Sequence, residues 1–495
     1  MKYLSTRDKT LRLDAAEAIL TGLSRDGGLL TPESIPEIGE DFLRELAGLS
    51  YEERAARVMA LYLTDYTEEE LLGFAGNAYG PAKFDTPAVA PVRKLDDATY
   101  CLELWHGPTS AFKDMALQML PQLLSAALRK RGEGKTACIL VATSGDTGKA
   151  AMEGFADVPQ TKILVFYPKD GVSQVQEAQM VTQEGQNVGV CAVVGNFDDA
   201  QAGVKRIFSD AAMRETLNGR GYFLSSANSI NWGRILPQVV YYISAYCDLL
   251  NAGEIRMGQR VNFCVPTGNF GDILAAYYAK RMGLPVGKLI CASNRNDVLT
   301  DFLRTGVYDR NRPFHCTMSP SMDILVSSNL ERLLFDLSGE NDAEVREYMA
   351  QLARDGRYEV SDTIKAALRE QYWGGCCGEE ETARTIGKYY REKGYLIDTH
   401  TAVAAAVMEQ YRAETGDGTV TVFVSTASPY KFCASVLPAI GEEPKGDGVE
   451  LLEQLHEVSG VKVPERLAAL RGKARRFDLA VEREAMDDVV RDFLR

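Results

Sequence analysis

The sequence predicts an α/β protein built on mostly parallel sheets, with helical segments added at both ends. Six short apolar runs alternate with helical segments between about residues 136 and 424. This alternation is typical of parallel strands joined by helical crossovers. Three of the runs lead directly into small polar loops followed by helices, where open α/β sheets bind their ligands. The first hundred residues and the residues after Gly441 are mainly charged and helical in pattern.

The apolar runs define the predicted organisation of the chain. They are TACILVA, KILVFYP, VCAVV, VNFCV, KLICA and TVTVFV. We expect a helical N-terminal domain over residues 1–100 and a smaller α/β subdomain over 101–220. A larger α/β subdomain over 221–440 carries a helical insert near 338–392, and a helical C-terminal segment covers 441–495.

Composition restricts the class of partner. The 495 residues carry a formal net charge of -14 and a sequence pI near 5.0, so a general nucleic-acid surface or anionic-membrane surface is not expected. The longest apolar run, around 239–250, contains Asp248 and is shorter than the roughly 20 residues that a membrane span needs. The charged N-terminus lacks the pattern of a secretory signal. We therefore expect a cytoplasmic protein that acts on a small molecule.

Cysteine and histidine spacing gives no support for a metal site. The ten cysteines include no CxxC pair, and the four histidines form no HxxxH or HExxH pattern. We expect no metal, and reduced thiols as in a cytoplasm.

A single lysine stands out in the stretch GPTSAFKD, residues 107–114. Apolar spacing after it predicts an amphipathic helix that begins near Lys113 and kinks at Pro121. A cation at a helix N-terminus is disfavoured, and burial beside Phe112 and Trp105 would favour the neutral amine, although Asp114 acts in the opposite direction. A neutral amine is a nucleophile toward aldehydes. The alternative is an ordinary exposed lysine.

Two of the polar loops are suited to anions. TGNFGD, residues 267–272, places two glycines at a helix N-terminus, where backbone N–H groups can bind a phosphate. TSGDTG offers the hydroxyl and N–H groups of Thr143, Ser144, Gly145 and Thr147 to a carboxylate. Each loop could alternatively be a simple turn between a strand and a helix.

The third loop, STASPYKF, places Ser425 and Thr426 at the end of a buried strand. A buried hydroxyl needs a hydrogen-bond partner, which is usually backbone. It can also pair with a heterocyclic nitrogen. A reactive lysine, a phosphate loop, a carboxylate loop and this hydroxyl together indicate a pyridoxal 5'-phosphate (PLP) enzyme.

The same segments resemble the threonine synthase family. The resemblance rests on ELWHGPTSAFKDMALQ, ATSGDTG, SSANSINWGRILPQ, PTGNFGD, SPSMDILVSSNLERLLF and DTHTAVA, in that order, and extends from STRD near the N-terminus to STASPYKF. It implies the tryptophan synthase β-like fold with an added helical N-terminal domain, and PLP as cofactor. It also implies a carbon–oxygen lyase of threonine biosynthesis that converts O-phospho-L-homoserine and water to L-threonine and phosphate.

The resemblance also implies roles for individual residues. Lys113 would bind the cofactor covalently and move protons, and Thr426 would face the pyridine nitrogen. The cofactor phosphate would lie on Gly268, Asn269, Phe270 and Gly271, with Asp146 near the ring and Thr143, Ser144 and Thr147 near the substrate carboxylate. The substrate phosphate would be bound by Ser226, Asn228, Ser229, Asn231 and Arg234. An exposed surface position is the alternative for Arg234.

Three positions depart from the family pattern. Ser428 and Tyr430 stand where the family usually has histidine and alanine, and Thr399 stands where it usually has proline. These changes concern the geometry of the wall near Thr426. Two other functions stay open: a related PLP-dependent phospho-lyase that releases 2-oxobutyrate, and a non-catalytic PLP-binding protein. A monomer or a homodimer is expected.

Overall fold

The computed structural model describes residues 1–495 apart from the side chain of residue 198. The strands are β1 (Tyr3–Ser5), β2 (Asp8–Leu13), β3 (Leu30–Pro32), β4 (Val92–Lys94), β5 (Thr99–Glu103), β6 (Thr136–Ala142), β7 (Thr161–Pro168), β8 (Val188–Val194), β9 (Tyr222–Ser225), β10 (Val261–Pro266), β11 (Val286–Ser293), β12 (Val307–Asp309), β13 (Arg357–Glu359), β14 (Tyr372–Cys376), β15 (Thr421–Ser425) and β16 (Ala480–Glu482).

The helices surround these strands. They are α1 (Ala15–Thr21), α2 (Glu40–Ala47), α3 (Tyr51–Ala60), α4 (Glu68–Tyr79), α5 (Asp114–Leu117), α6 (Leu120–Arg131), α7 (Asp146–Phe155), α8 (Gln174–Val181), α9 (Phe197–Ser209), α10 (Ala211–Gly219), α11 (Trp232–Asn251), α12 (Gly271–Arg281), α13 (Val298–Thr305), α14 (Leu330–Leu337), α15 (Asp342–Asp355), α16 (Asp362–Gln371), α17 (Glu379–Lys393), α18 (Thr399–Thr415), α19 (Cys433–Ile440), α20 (Glu450–Ser459), α21 (Glu465–Ala468) and α22 (Met486–Phe493).

Two sheets form the centre of the molecule. The first has the strand order β16-β8-β7-β6-β9 and is parallel throughout. The second has the order β14-β11-β10-β15-β5-β4 and is parallel except for the antiparallel edge strand β4. All six predicted apolar runs are strands, three in each sheet. The predicted α/β class with mostly parallel sheets is therefore confirmed.

The N-terminal region is helical, as expected, but it also contains a small antiparallel sheet of order β2-β1-β3. This region packs directly on the central helices. The buried indole of Trp232 on α11 lies 5.8 Å from the ring of Tyr3, 5.6 Å from Tyr62 and 5.4 Å from Tyr278. Aromatic pairs of this kind contribute about 0.5–1.5 kcal/mol beyond the area they bury. One apolar core thus extends from the N-terminal region into the sheet layer.

The helix expected to begin near Lys113 and kink at Pro121 is in fact two helices. α5 is one turn long, and α6 begins with Pro121 in its first turn. Proline lacks the backbone N–H that a helix interior uses, but at the first turn that donor has no intrahelical partner anyway. The break places Lys113 at the start of its own short helix, directly after the glycine-proline turn.

Several strands, β13, β14 and β16 among them, occur where the sequence indicated only helical segments. β14, in the glycine-rich part of the insert, pairs with β11 at the edge of the six-stranded sheet, and β16 in the C-terminal segment pairs with β8. In the part of the chain that the structure describes, no helix is long and apolar enough to cross a membrane. Nor do the described side chains include a group of three or more His, Cys, Asp or Glu placed to hold a metal.

Candidate active site

A single large cavity of about 1510 Å³ collects most of the predicted site residues. Its lining includes Lys113, Thr143, Ser144, Thr147, Ser226, Asn228, Ser229, Arg234, Gly268, Asn269, Phe270, Gly271 and Thr426. These residues follow the carboxyl ends of β5, β6, β9, β10 and β15. Because parallel strands end at one edge of a sheet, loops that are far apart in sequence meet there. Asp146 and Asn231 are the two predicted site residues outside this lining.

Lys113 has the environment of a reactive amine. Its Nζ lies 3.4 Å from Ser321 Oγ and 5.0 Å from the centre of the Phe112 ring. Burial, reinforced by Arg234 and opposed by Asp146, lowers the pKa of Lys113 to about 8. The carboxylate of the neighbouring Asp114 is hydrogen-bonded to Thr109.

Asp114 instead holds the turn before Lys113. Its carboxylate accepts hydrogen bonds from Thr109 N at 2.8 Å and Thr109 Oγ1 at 2.8 Å. A side chain at Gly107 would collide with this carboxylate, because a Cβ there would lie 2.6 Å from Asp114 Cβ. Burial raises the pKa of Asp114 to about 6. The turn therefore depends on Gly107 and on Asp114 as a hydrogen-bond acceptor.

The TGNFGD loop has the shape of an anion site. Phe270 adopts φ 61°, a left-handed conformation that is rare for a residue with a side chain, and it directly precedes α12. The carbonyl of Gly268 accepts from Ser327 Oγ at 2.9 Å, and that of Asn269 accepts from Asn329 Nδ2 at 3.1 Å. With its carbonyls bonded to these residues, the loop offers N–H groups at the helix N-terminus to an anion.

Arg234 is buried rather than exposed, and it lines the same cavity. Its guanidinium donates to the Ala227 carbonyl through Nη1, while Nε has no partner among the described residues. No described carboxylate forms an ion pair with it, and burial lowers its pKa to about 10. A buried cation without a counter-charge is costly. The arrangement is explained if an anionic ligand supplies that charge.

The other residues of the SSANSINWGR segment divide into two groups. Ser226, Asn228 and Ser229 line the cavity beside Arg234. Asn231 does not line the cavity, and its role as a phosphate ligand stays a prediction. It caps α11, because Oδ1 accepts from Gly233 N at 2.9 Å while Nδ2 donates to Ile19 O at 2.9 Å. Both polar ends of Asn231 are therefore engaged in the fold.

Asp146 lies outside the cavity lining, and its place beside the cofactor ring stays a prediction. Its Oδ1 lies 2.6 Å from Lys431 Nζ and accepts from Gln176 Nε2 at 2.8 Å. Lys431 is fully buried and also donates to the Thr109 carbonyl at 3.0 Å. The ion pair therefore connects the TSGDTG, STASPYKF and GPTSAFKD segments. The charge of Asp146 raises the pKa of Lys113, against the larger lowering effect of burial.

The rest of the TSGDTG loop forms a tight turn at the cavity. Thr143 Oγ1 accepts from Gly145 N at 3.0 Å and Gly148 N at 2.8 Å, so its oxygen stabilises the turn. Gly145 has φ 124°, a conformation that requires glycine. Ser144 and Thr147 line the cavity on this turn.

The structure distinguishes the two hydroxyls at the end of β15. Ser425 Oγ accepts from Trp105 Nε1 at 3.0 Å and Thr401 Oγ1 at 3.0 Å, so it is engaged within the protein. Thr426 lines the cavity, and its carbonyl accepts from Phe112 N at 2.8 Å. Thr426 is thus the hydroxyl available to a ligand, held next to the Lys113 segment.

The three positions that depart from the family pattern are buried outside the cavity lining. Ser428 Oγ accepts from Tyr430 N at 3.4 Å, and the Tyr430 hydroxyl donates to the Val461 carbonyl. Thr399 Oγ1 lies 3.4 Å from His400 Nδ1. The three departures therefore change residues that pack behind the cavity wall, and not residues that line the cavity.

Four side chains of the site were not predicted from the sequence: Asp272, Ser321, His400 and Lys431. Asp272 Oδ1 accepts from the Tyr242 hydroxyl at 2.6 Å, and its Oδ2 has no partner among the described residues. Burial raises the pKa of Asp272 to about 6. Each of the four lies within a segment that resembles the family. That location is the only signal in the sequence that could have identified them.

Comparison with known proteins agrees with this geometry. Residues 2–79 match the family model "Threonine synthase N terminus", 83–427 match "Pyridoxal-phosphate dependent enzyme", and 401–490 match "Threonine synthase, C-terminal". The chain is 42% identical over 446 residues to a threonine synthase from Pseudomonas aeruginosa, covering 90% of this chain and 92% of that one. The chain belongs to the threonine synthase family.

Solved structures agree as well. PLP-bound threonine synthase from Brucella melitensis superposes with a TM-score of 0.88 at 38% identity, and the superposition covers 100% of both chains. The chain is also 40% identical over 439 residues to human "Threonine synthase-like 1". It spans only 58% of the length of that relative and of its counterpart from Macaca fascicularis. The PLP-dependent fold of this family is therefore the fold of the chain.

The residues present fit PLP, the cofactor of this family. The amine of the half-buried Lys113 has a lowered pKa, as a nucleophile toward an aldehyde requires. The phosphate loop has no space for a side chain at Gly268, where a Cβ would lie 2.5 Å from the Ser321 carbonyl. The Ser225 hydroxyl, which lines the cavity, has no partner among the described residues. A polar ligand in the cavity would supply the hydrogen-bond partner that the Ser225 hydroxyl lacks.

Proposed function

We propose that this protein is a threonine synthase, which converts O-phospho-L-homoserine and water to L-threonine and phosphate. The proposal rests on one observation: Lys113 and Arg234 line the same cavity. The first is an amine whose pKa is lowered to about 8, and the second is a buried guanidinium without a carboxylate partner. Membership in the threonine synthase family supports this assignment.

We propose that Lys113 binds PLP covalently, that residues 268–271 bind its phosphate, and that Thr426 hydrogen-bonds its pyridine nitrogen. PLP, when bound, supplies an electron sink for carbanions that form on the substrate carbons. Thr426 is a neutral partner, so the ring nitrogen accepts from a hydroxyl instead of pairing with a carboxylate. Asp146 contributes its charge from behind the wall, where Lys431 holds it.

The substrate would be oriented by two sets of donors. Ser144 and Thr147 at the start of α7 suit the substrate carboxylate, with Thr143 fixing their turn. Ser226, Asn228, Ser229 and Arg234 suit the phosphate. Arg234 is the only cation of this segment and already lacks a counter-charge, so it is the main phosphate ligand.

Lys113 would carry the protons of the reaction. An amine whose pKa lies near 8 can accept and return a proton close to neutral pH, so one residue can serve repeatedly as base and acid. It would take the proton from the α carbon and then from the β carbon of the substrate. The bond between the γ carbon and the phosphate oxygen would break, and one of the two protons would be delivered to the γ carbon. The hydroxyl of water would then add at the β carbon, its proton would go to the released phosphate, and the other proton would return to the α carbon. Arg234 would hold the released phosphate close to the point of water addition.

A related lyase would share most of these residues. It would release phosphate in the same way but lose the unsaturated product before water adds at the β carbon, giving 2-oxobutyrate and ammonia. The test is product analysis of the PLP-loaded protein with O-phospho-L-homoserine. We expect L-threonine and phosphate in equal amounts, and no turnover of homoserine. Chiefly 2-oxobutyrate would favour the lyase, and cofactor binding without turnover would favour a non-catalytic protein.

We also propose a cytoplasmic location, a monomeric or homodimeric state and the four-part division of the chain given above. The free cysteines support a cytoplasmic location, because the described residues include no disulfide and eight of the ten thiols are buried. The two parallel sheets support a division into two α/β parts, although β5 belongs to the six-stranded sheet and β16 to the five-stranded one.

A further inference from the structure

A short segment on the cavity wall contacts the amine of Lys113. The segment, residues 319–323, contains one 3-10 turn, and Ser321 Oγ in it accepts a hydrogen bond from Lys113 Nζ at 3.4 Å. The same segment packs against the TGNFGD loop, where the Ser321 carbonyl leaves no space for a Cβ at Gly268. A displacement of this segment would therefore change both the amine and the phosphate loop.

His400 holds the centre of this segment. Its side chain is buried, lines the cavity, and packs 4.9 Å from the Phe432 ring. Nε2 accepts a hydrogen bond from the backbone N–H of Ser321 at 3.2 Å. An N–H group can only donate, so Nε2 carries no proton and the ring proton lies on Nδ1.

Asp398 fixes the orientation of the His400 ring. Its Oδ2 lies 2.8 Å from His400 Nδ1 and accepts from His400 N at 2.9 Å. Asp398 is fully buried and also accepts from the backbone of Thr401 at 3.0 Å at the start of α18. A carboxylate beside Nδ1 selects the tautomer in which Nε2 is an acceptor. The chain of contacts therefore runs from Asp398 through His400 and Ser321 to Lys113.

A second network holds the ends of the segment and leaves its centre to His400. Asp323 Oδ1 accepts from Asn294 Nδ2 at 2.7 Å and Thr317 Oγ1 at 2.7 Å. These contacts fix the segment beside the end of β11. Without them the segment would lose its attachment, whereas without His400 only the peptide of Ser321 would lose its partner. This contrast makes the role of His400 testable by substitution.

We propose that His400 is a positioning residue that, oriented by Asp398, fixes the peptide of Ser321 so that the Ser321 hydroxyl contacts the Lys113 amine. The inference rests on the proposed role of Lys113 in cofactor binding and proton transfer. Small displacements of a catalytic group cost large factors in rate, since about 1 Å of misplacement can cost about 100-fold. His400 would thus act on the reaction without touching the reacting atoms.

A double-mutant cycle with Ser321→Ala and His400→Ala tests this role. The first readout is the pH midpoint of the visible absorbance of the PLP-bound protein without substrate, which reports the protonation of the bond at Lys113. We expect each single variant to shift this midpoint, and His400→Ala to produce no further shift in the Ser321→Ala background. The second readout is turnover, where His400→Ala should lower kcat by about 100-fold with little change in KM.

His456→Ala is the matched control, because His456 is exposed on α20 and contacts only the Val461 carbonyl at 2.8 Å. It should change neither readout. If His400→Ala does not accumulate as folded protein, His400→Asn replaces it in the same cycle. Additive shifts, or an unchanged midpoint in the His400 variants, would overturn the inference. Because the absorbance readout needs no substrate, failure of the threonine assay alone would count against the proposed function and not against this role of His400.

Discussion

Lys431 Nζ lies 2.6 Å from Asp146 Oδ1, and both side chains are buried behind the wall of the cavity. Lys431 also donates to the Thr109 carbonyl, and Gln176 donates to Asp146. The pair therefore joins three loops that come from different strands. Its charges also reach the cavity, since Asp146 raises and Lys431 lowers the pKa of Lys113, within the larger effect of burial.

Lys431→Met should destabilise the fold strongly. Removal of one partner leaves Asp146 as a buried, uncompensated charge, a change that costs about 3–5 kcal/mol. The double variant Lys431→Met/Asp146→Asn should recover most of this loss. Lys462→Met, which breaks an exposed pair with Glu465, is the control and should cost little stability. Urea unfolding gives all three values, and a loss for Lys431→Met as small as that of the control would contradict the interpretation.

The same pair predicts a loss of stability in acid. Burial raises the pKa of Asp146, but Lys431 and Lys113 more than offset this and hold it below its ordinary value of 3.8. A depressed carboxyl pKa contributes stability that is present above the unfolded value and is lost as the pH falls below it. The free energy of unfolding should therefore decrease more steeply below pH 3.8 in the wild type than in Lys431→Met/Asp146→Asn. Equal slopes would show that Asp146 does not titrate in this way.

The lowered pKa of Lys113 predicts how fast apoprotein reacts with PLP at different pH. Only the neutral amine attacks an aldehyde, so the rate of covalent binding should rise with pH and level off above about 8. Stopped-flow absorbance measures this rate. A midpoint near 10.5, the ordinary value for lysine, would mean that burial does not act on this amine.

Lys113→Ala should abolish turnover while leaving a folded protein that still binds PLP without a covalent bond. The phosphate loop is held by Ser327 and Asn329 and not by Lys113, so it should remain intact. Borohydride reduction of the wild type followed by peptide mass spectrometry identifies the labelled lysine. Label on any other lysine would reject the assignment of Lys113.

Two buried arginines allow a comparison between binding and stability. Arg234→Met should lower kcat/KM for O-phospho-L-homoserine by a factor that corresponds to about 1.5–3 kcal/mol, because one charge-assisted phosphate contact is lost. Its stability should decrease less than that of Arg332→Met, because only the Ala227 carbonyl loses a donor and a buried cation without a counter-charge is removed. Arg332→Met is the matched variant.

Arg332 is equally buried but donates to the Leu30 carbonyl at 2.9 Å and to the Ile230 carbonyl at 2.6 Å. Its substitution should therefore destabilise the fold, because buried carbonyls lose their donors. Thermal unfolding distinguishes the two variants. If Arg234→Met loses as much stability as Arg332→Met and its kcat/KM is unchanged, Arg234 has a purely structural role.

Most of the fold was predictable because its elements carry local signals. The six apolar runs lie in parallel sheets that are buried on both faces. Their sequences are therefore nearly continuous apolar stretches, which are easy to recognise. β14 and β16 could not be predicted in this way. The glycine-rich Tyr372–Cys376 and the charged Ala480–Glu482 are strands because they pair with the edges of existing sheets. Such pairing is a property of the tertiary structure and not of the segment.

Prediction of the site from the sequence was limited in the same way. Loops that follow strands were recognisable, and most of their residues line one cavity. The family resemblance assigned Asn231 and Asp146 to ligands. In the structure Asn231 caps a helix and Asp146 forms a buried ion pair, and neither contact has a signal in the local sequence. Lys431 and His400 gave no local signal, because their contacts with Asp146 and Ser321 join residues far apart in sequence.

The fate of the unsaturated product after phosphate release is the sharpest test of the assignment as a threonine synthase. Incubation of the PLP-loaded protein with O-phospho-L-homoserine in oxygen-18 water, followed by mass spectrometry, shows whether water adds at the β carbon. This assignment predicts L-threonine as the main product, with one oxygen-18 atom in its hydroxyl group. For Arg234→Ala it predicts a larger share of 2-oxobutyrate, because the released phosphate is no longer held. A wild-type protein that gives chiefly 2-oxobutyrate, with no labelled threonine, would contradict it.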